Sequence, residues 1–204
     1  MKSTFFLLIR HGQYENLGKF LAGRTPGVHL NHHGKSQASS LTQILASIPI
    51  HAIYSSPLER ALETAEELSI DRSIPIFLEE KINEIDFGYW TGLFFEELKT
   101  NPDWIDFNSF RSTLRAPHGE TMFEVQSRAL SALEEFRSVH PGETVVVFSH
   151  ADIIRSLLIY FLGASCDLLT RFEVHPCSIS TLEINKYGPK IHHINYSNEF
   201  YFKS

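Results

Sequence analysis

The sequence predicts an α/β fold: a three-layer αβα sandwich on a mainly parallel sheet, with one antiparallel edge strand and a small helical, aromatic cap. Three observations lead there. Short apolar runs recur along the chain and end abruptly in polar residues, as buried strands do. Helical periodicity fills most of the intervals between them, which is the βαβ pattern of a parallel sheet covered on both faces. Residues 85–120 fit neither period and are rich in aromatics, which marks them as an insertion.

The first run, Phe5-Phe6-Leu7-Leu8-Ile9, stops at Arg10-His11-Gly12. It is too short to cross a bilayer, which takes about 20 apolar residues. It is also short for the apolar centre of a secretory signal, which takes roughly 7–15. A buried strand is the reading left, with Arg10 and His11 at its carboxyl end, where open α/β sheets bind ligands. Ala38, Leu41, Leu45 and Ile48 make one face of a helix beginning near Gly34, followed by a strand over 51–54. Ser56-Pro57 reads as a capping side chain before a first-turn proline, and Ala61, Thr64, Ala65 and Leu68 form the inward stripe of the next helix. A strand over 74–78 follows. Thr121 with Glu124 is a capping-box pattern, continued by Val125, Ala129, Leu133 and Phe136. A strand over 143–149 leads to the helical stripe Ile154, Leu157, Leu158 and Phe161. Strands over 178–184 and 190–195 then form a hairpin through Tyr187-Gly188-Pro189 and bring an antiparallel strand to the edge.

The 204 residues, 43% hydrophobic and 21% charged, suit one domain over 1–204 with its cap at about 85–120. A net charge of -6 argues against nucleic-acid binding, which needs a basic stripe, but leaves room for a local cationic pocket. Cys166 and Cys177 are the only cysteines and are not in a C-x-x-C arrangement. Together with the lack of a signal peptide or membrane span, this points to a reducing, cytoplasmic setting. Monomer and homodimer both remain open.

Four strand ends carry similar side chains. The first has Arg10 and His11; the second leads through Ser55-Ser56 to Arg60; the third is followed by Asn83-Glu84; the fourth ends at Ser149-His150. If the strands are parallel neighbours, two arginines, two histidines and a carboxyl group converge on one sheet edge. Guanidinium forks match phosphoryl oxygens and stay charged at any working pH. A neutral imidazole flanked by cations stays unprotonated and can attack phosphorus, and phosphoryl transfer depends on positioning and charge stabilisation. The leaving alkoxide needs an acid; Glu84 is the candidate, with Glu80, Asp86 and Glu120 as substitutes in the same rim. No metal or other cofactor is expected. His29, His32 and His33 form no pattern that converges three or four ligands, and His192 and His193 would point to opposite faces of a strand. Gly34-Lys35-Ser36 lacks the P-loop glycine five residues earlier, where His29 stands.

These residues resemble the histidine phosphatase superfamily, the phosphoglycerate mutase-like proteins, over nearly the whole chain. Arg10-His11-Gly12 is similar to its name-giving motif, S55-S56-P57-L58-E59-R60-A61 to its second block, E84-I85-D86-F87-G88 to its proton-donor segment, and G119-E120-T121 and S149-H150 to the remaining ones. The resemblance implies phosphohistidine formation on His11, proton donation by Glu84, and phosphate binding by Arg10, Asn16, Arg60 and His150. It departs at Tyr14, where Thr or Ser is common, and at Ala151, where Gly is common. The implied activity is metal-independent hydrolysis of a phosphorylated small molecule. A phosphoglycerate mutase-like phosphomutase is the alternative, and a catalytically inactive phosphate-binding module a further one. A mutase needs extra basic residues over the pocket. Segment 85–120 instead carries Asp86, Glu96, Glu97, Asp103, Asp106 and Glu120 against Lys99, Arg111 and Arg115, and Ile85 stands where the mutases have arginine after the donor.

Overall fold

The computed structural model describes residues 2–197. Its elements run β1 (Thr4–Arg10), α1 (His32–Ile44), β2 (Ala52–Ser55), α2 (Glu59–Arg72), β3 (Ile76–Leu78), α3 (Phe95–Leu98), α4 (Pro102–Ser109), α5 (Met122–Val139), β4 (Thr144–Ser149), α6 (Ala151–Leu162), β5 (Ile179–Asn185) and β6 (Gly188–Tyr196). One six-stranded sheet has the order β3-β2-β4-β1-β5-β6. β3, β2, β4 and β1 are parallel neighbours, whereas β5 runs antiparallel to β1 and β6 antiparallel to β5. The expected hairpin is present, and it joins the sheet as a pair, so the reversed strand β5 lies inside and β6 forms the edge.

The period-two geometry of a strand explains the three layers. On β1, Phe6 and Leu8 enter one core while Leu7 and Ile9 enter the other; on β4, Val145 and Val147 divide from Val146 and Phe148 in the same way. The first core is closed by α5 and α6 through Val125, Ala129, Leu133, Ile154, Leu157 and Leu158. The second is closed by α1 and α2 through Ala38, Leu41, Ala65 and Leu68. Fully burying one Val, Leu or Ile side chain is worth about 1.5–3 kcal/mol, so both faces stabilise the sheet. Residues 85–120 hold only short helices and extend the first core with Ile85, Phe87, Trp90, Leu98 and Phe107.

Helix starts follow capping chemistry with one correction. Thr121 accepts from the Glu124 N–H at the head of α5, and Glu124 returns a bond to the Thr121 N–H, as the sequence suggests. α1 is capped by Asn31, whose side chain accepts from Gly34 N. α2, however, begins at Glu59, two residues later than Ser56-Pro57 implies, and Leu58 at its head offers no side-chain cap. Ser56 Oγ accepts only a long 3.4 Å bond from Leu58 N and is otherwise engaged by His150 and Asn83.

Register brings the strand ends together. Arg10 pairs with Ser149 and Ser55 with Phe148, so β1, β2 and β4 end at one level. His11 N donates to Ser149 O at 3.0 Å and Ser56 N to Phe148 O at 2.9 Å, which carries the alignment one residue past each strand. Beyond it the chain passes tightly by α1. A Cβ on Gly12 would meet Gly34 O at 2.8 Å, and one on Gly34 would meet Gln13 O at 2.0 Å. The Gly34-Lys35-Ser36 stretch is therefore a packing device beside the β1 end.

Candidate active site

A cavity of about 390 Å³ opens at these strand ends, lined by Arg10, His11, Arg60 and Glu84 on its floor. Leu17, Phe20, Leu21, Phe87 and Phe95 supply apolar lining, and Asp152, Glu173 and His175 polar lining. The volume suits a small metabolite.

His11 is 3% exposed, and its Nδ1 lies 2.8 Å from Gly12 O. A carbonyl only accepts, so Nδ1 carries the proton and the lone pair of the neutral ring sits on Nε2. Burial first, then the charges of Arg60 and Arg10, hold this imidazole well below its usual pKa of 6.5, against the smaller opposing effect of the Gly12 bond. His150 is fully buried, 5.2 Å from His11 between ring centroids, and has the opposite tautomer. Arg60 Nη2, which can only donate, faces His150 Nδ1 at 3.3 Å, leaving Nε2–H to donate to Ser56 Oγ at 2.8 Å. Ser56 Oγ in turn donates to Asn83 Oδ1 at 3.3 Å. Burial, Arg60, His11 and Arg10 all keep His150 neutral, so its approach to Glu84 Oε2 at 3.8 Å is not an ion pair.

The two arginines are anchored by one arm each. Arg10 Nη1 donates to Val174 O at 2.7 Å and Arg60 Nη2 to Gly23 O at 2.8 Å. Among the described residues, Arg10 Nε and Arg60 Nε and Nη1 are buried without a hydrogen-bond partner. Burial lowers both pKa values, but guanidinium remains protonated at neutral pH. Two buried cations lining one cavity are a fit for a multiply charged oxyanion.

Glu84 and Asp152 share the cavity and are driven apart. Burial, then the nearby Asp152 charge, raises Glu84 against the pull of Arg60, the Ile85 N–H and Arg10. Burial would raise Asp152 as well, yet Arg111 and Arg155 outweigh it and hold that carboxylate at about 2. Two carboxyl groups in one site whose surroundings push them in opposite directions are the usual signature of divided acid–base roles. The Glu84 backbone is clamped: its carbonyl accepts from Arg24 Nε at 2.8 Å and Arg128 Nη2 at 3.1 Å, and both arginines also bind Glu120. Glu120 is thus committed to structure. Asp86 accepts from Gly88 N, and Glu80 from Asn83 Nδ2. None of these three substitutes lines the cavity, and Glu84 does.

The structure therefore brings Arg10, His11, Arg60, Glu84 and His150 together, and it does not bring Asn16 to them. Asn16 is exposed with a φ of 60°, its carbonyl accepts from Lys19 N at 2.9 Å, and it is not part of the cavity lining. Sequence reasoning missed Ser56, Arg128 and Asp152. Ser56 was taken up by the capping pattern. Arg128 could have been found as a cation three residues after Val125 on an otherwise apolar helical stripe. Asp152 had no signal beyond lying two residues past His150. Among the described residues no group of His, Cys, Asp and Glu is arranged to hold a metal ion, and no helix is long and apolar enough to cross a membrane.

The sequence profile of the histidine phosphatase superfamily (branch 1) matches residues 6–197. The chain belongs to that superfamily. Among its histidine phosphatase relatives, phosphoserine phosphatase 1 of Hydrogenobacter thermophilus is 31% identical, over 97% of this chain and 96% of the relative. The solved structure of Bacillus stearothermophilus YhfR superposes with a TM-score of 0.87 at 29% identity, covering 93% of this chain and 95% of that one. A phosphoserine phosphatase mutant from Entamoeba histolytica, in complex with phosphoserine, gives a TM-score of 0.84 at 28% identity, covering 94% and 96%. This membership supports phosphoric-monoester hydrolase activity for the chain.

Proposed function

We propose that the chain hydrolyses a small phosphomonoester in two displacements, through a phosphohistidine on His11. The observation that carries this is the Nδ1–H bond of His11 to Gly12 O, which leaves Nε2 as the lone pair facing a cavity shared with Arg10 and Arg60. The guanidinium charges of Arg10 and Arg60 on the cavity floor receive the phosphoryl oxygens. At an effective dielectric of 20, one charge pair 4 Å apart is worth about 4 kcal/mol before desolvation. His11 Nε2 then attacks phosphorus, the P–O bond to the alcohol breaks, and the Glu84 proton goes to the leaving oxygen. In the second half, Glu84 carboxylate takes a proton from water as that water attacks phosphorus. The P–N bond breaks and its electrons return to Nε2, which restores both residues. His150, locked between Arg60 Nη2 and Ser56 Oγ, holds the Arg60 guanidinium in place beside the phosphoryl group. Positive charge for the reaction thus comes from the chain itself, with no metal required.

Hydrolysis is favoured over phosphomutase chemistry by the cavity wall. Its lining arginines are Arg10 and Arg60, which the phosphoryl group takes up. Apolar residues with Asp152 and Glu173 make much of the rest, beside the polar Gln13, Tyr14 and His175, so a second anionic group on the alcohol finds no further arginine or lysine. Residues 85–120 serve as the cap over a mostly uncharged alcohol part. Phosphoserine, named in two of the relatives and carrying on its alcohol part a carboxylate balanced by an ammonium group, is the first compound to assay, beside apolar phosphomonoesters.

Rapid acid-free quenching with labelled substrate and excess chelator tests the mechanism. The wild type should carry label that is acid-labile and alkali-stable, and His11→Ala should carry none. Glu84→Gln should still be labelled by an aryl phosphate while losing about 10²–10⁴ in rate on an alkyl phosphate, whose leaving group needs the proton. Label persisting in His11→Ala, or label lost on chelation and restored by a divalent metal, would overturn the reading.

A further inference from the structure

Tyr14 is only 6% exposed and lines the cavity. Its ring lies 5.7 Å from that of His11 and meets Phe20 edge-on at 6.0 Å. The Arg60 guanidinium carbon stands over its face at 5.8 Å, within cation–π range. Three neighbours from different segments therefore fix the orientation of one phenol beside the nucleophile.

The Tyr14 hydroxyl is not among the buried polar atoms and opens to the cavity, without the protein partner that buried phenols normally acquire. Tyr54, the other tyrosine stacked into the core, has its hydroxyl 3.1 Å from His140 Nε2. Among the described residues, nothing hydrogen-bonds the Tyr14 hydroxyl. It interacts electrostatically with Arg60, Arg10 and Glu84, the charged groups of the cavity floor. Burial, assisted by Glu84, raises the phenol above its usual pKa of 10.0 against the pull of the two arginines. At neutral pH it is thus a hydrogen-bond donor and not a phenolate. A ring placed only to fill space would need no hydroxyl here.

We propose that Tyr14 is a further substrate-contacting residue: its hydroxyl donates a hydrogen bond to an oxygen of the phosphoryl group passing to and from His11, and its ring walls that group off from the cavity mouth. This rests on the phosphohistidine reading above. Donation to an oxygen that gains charge in the transition state would make the contact count in kcat as well as in KM.

Tyr14→Phe removes one oxygen and keeps the ring, so the fold should survive with its thermal midpoint nearly unchanged. With p-nitrophenyl phosphate as substrate and vanadate as the probe of five-coordinate phosphorus, this variant should lose about 10–100-fold in kcat/KM. Vanadate inhibition should weaken by a similar factor. Tyr14→Ser keeps a hydroxyl of shorter reach and removes the ring, and should fall below Tyr14→Phe in both measurements. A purely structural role would lower the midpoint and leave vanadate inhibition of the folded enzyme intact. Tyr14→Phe within twofold of wild type in both kcat/KM and vanadate inhibition would overturn the Tyr14 assignment and leave the phosphatase reading standing. A wild type that neither hydrolyses phosphomonoesters nor binds vanadate would remove both.

Discussion

The carboxyl ends of β1 and β4 each present a buried histidine, and the two rings are 5.2 Å apart. Both are desolvated, both face Arg60 and Arg10, and both are held neutral. Their chemistry nonetheless differs because one neighbour of each ring has a fixed hydrogen-bond sense. Gly12 O can only accept, so His11 keeps its proton on Nδ1 and exposes the Nε2 lone pair. Arg60 can only donate, so His150 keeps its lone pair on Nδ1 and sends Nε2–H to Ser56. Residue type and burial are the same at the two strand ends, and a single carbonyl or guanidinium decides which ring presents a lone pair on Nε2 and which is locked between Arg60 and Ser56.

The sharpest way to break this contrast is to delete each ring in turn. His11→Ala removes the attacking atom and should abolish turnover, a loss on the order of 10⁵-fold or more. His150→Ala removes a positioned charge partner and should cost about 10²–10³ in kcat while label still reaches His11. Comparable residual rates in the two variants, followed by stopped-flow phosphate release, would erase the distinction. Ser56→Ala is the milder cut. It orphans the Nε2–H of a fully buried ring, which costs about 1–3 kcal/mol. A drop of that size in urea unfolding, with roughly tenfold lower kcat, is expected. Unchanged stability would mean that the His150 tautomer is set elsewhere.

The smallest effect is in the pH dependence of stability. The unfolded chain protonates these histidines near 6.5, while the folded chain refuses the proton until well below that value. The unfolded state therefore binds more protons as pH falls below about 6.5, and stability should decline from there downward. Each ring contributes at most about 1.4 kcal/mol per pH unit. Urea midpoints measured between pH 7.5 and 5.5 should show the decline in the wild type. His11→Ala should show a slope shallower by about one proton, and an equal slope would place the titration on other groups.

Much of the fold was legible because burial writes itself into periodicity. The alternation of Phe6 and Leu8 with Leu7 and Ile9, and the stripes of α2, α5 and α6, are direct records of which face meets which core. The floor of the site was legible for a related reason. Arg10, His11 and His150 terminate apolar strands, and Arg60 opens the helix after one, so their place at the sheet edge follows from strand order.

Other features arose only when distant segments met. Ser56 reads locally as a helix cap, and the approach of His150, 94 positions away, commits it to another bond. Glu84, Glu80, Asp86 and Glu120 are equivalent acids along the chain. Only the meeting of Arg24 and Arg128 on Glu120 pins the Glu84 backbone and leaves Glu84 as the raised carboxyl group in the cavity. The position of Asn16 outside the lining is likewise a matter of where its loop turns. Apolar pattern and strand-end chemistry are properties of neighbouring residues, so the sequence alone determined the layers and the cationic floor with its two histidines. Protonation state, tautomer and which acid faces the substrate depend on electric fields and hydrogen bonds between residues far apart in the chain, and these the tertiary structure decided.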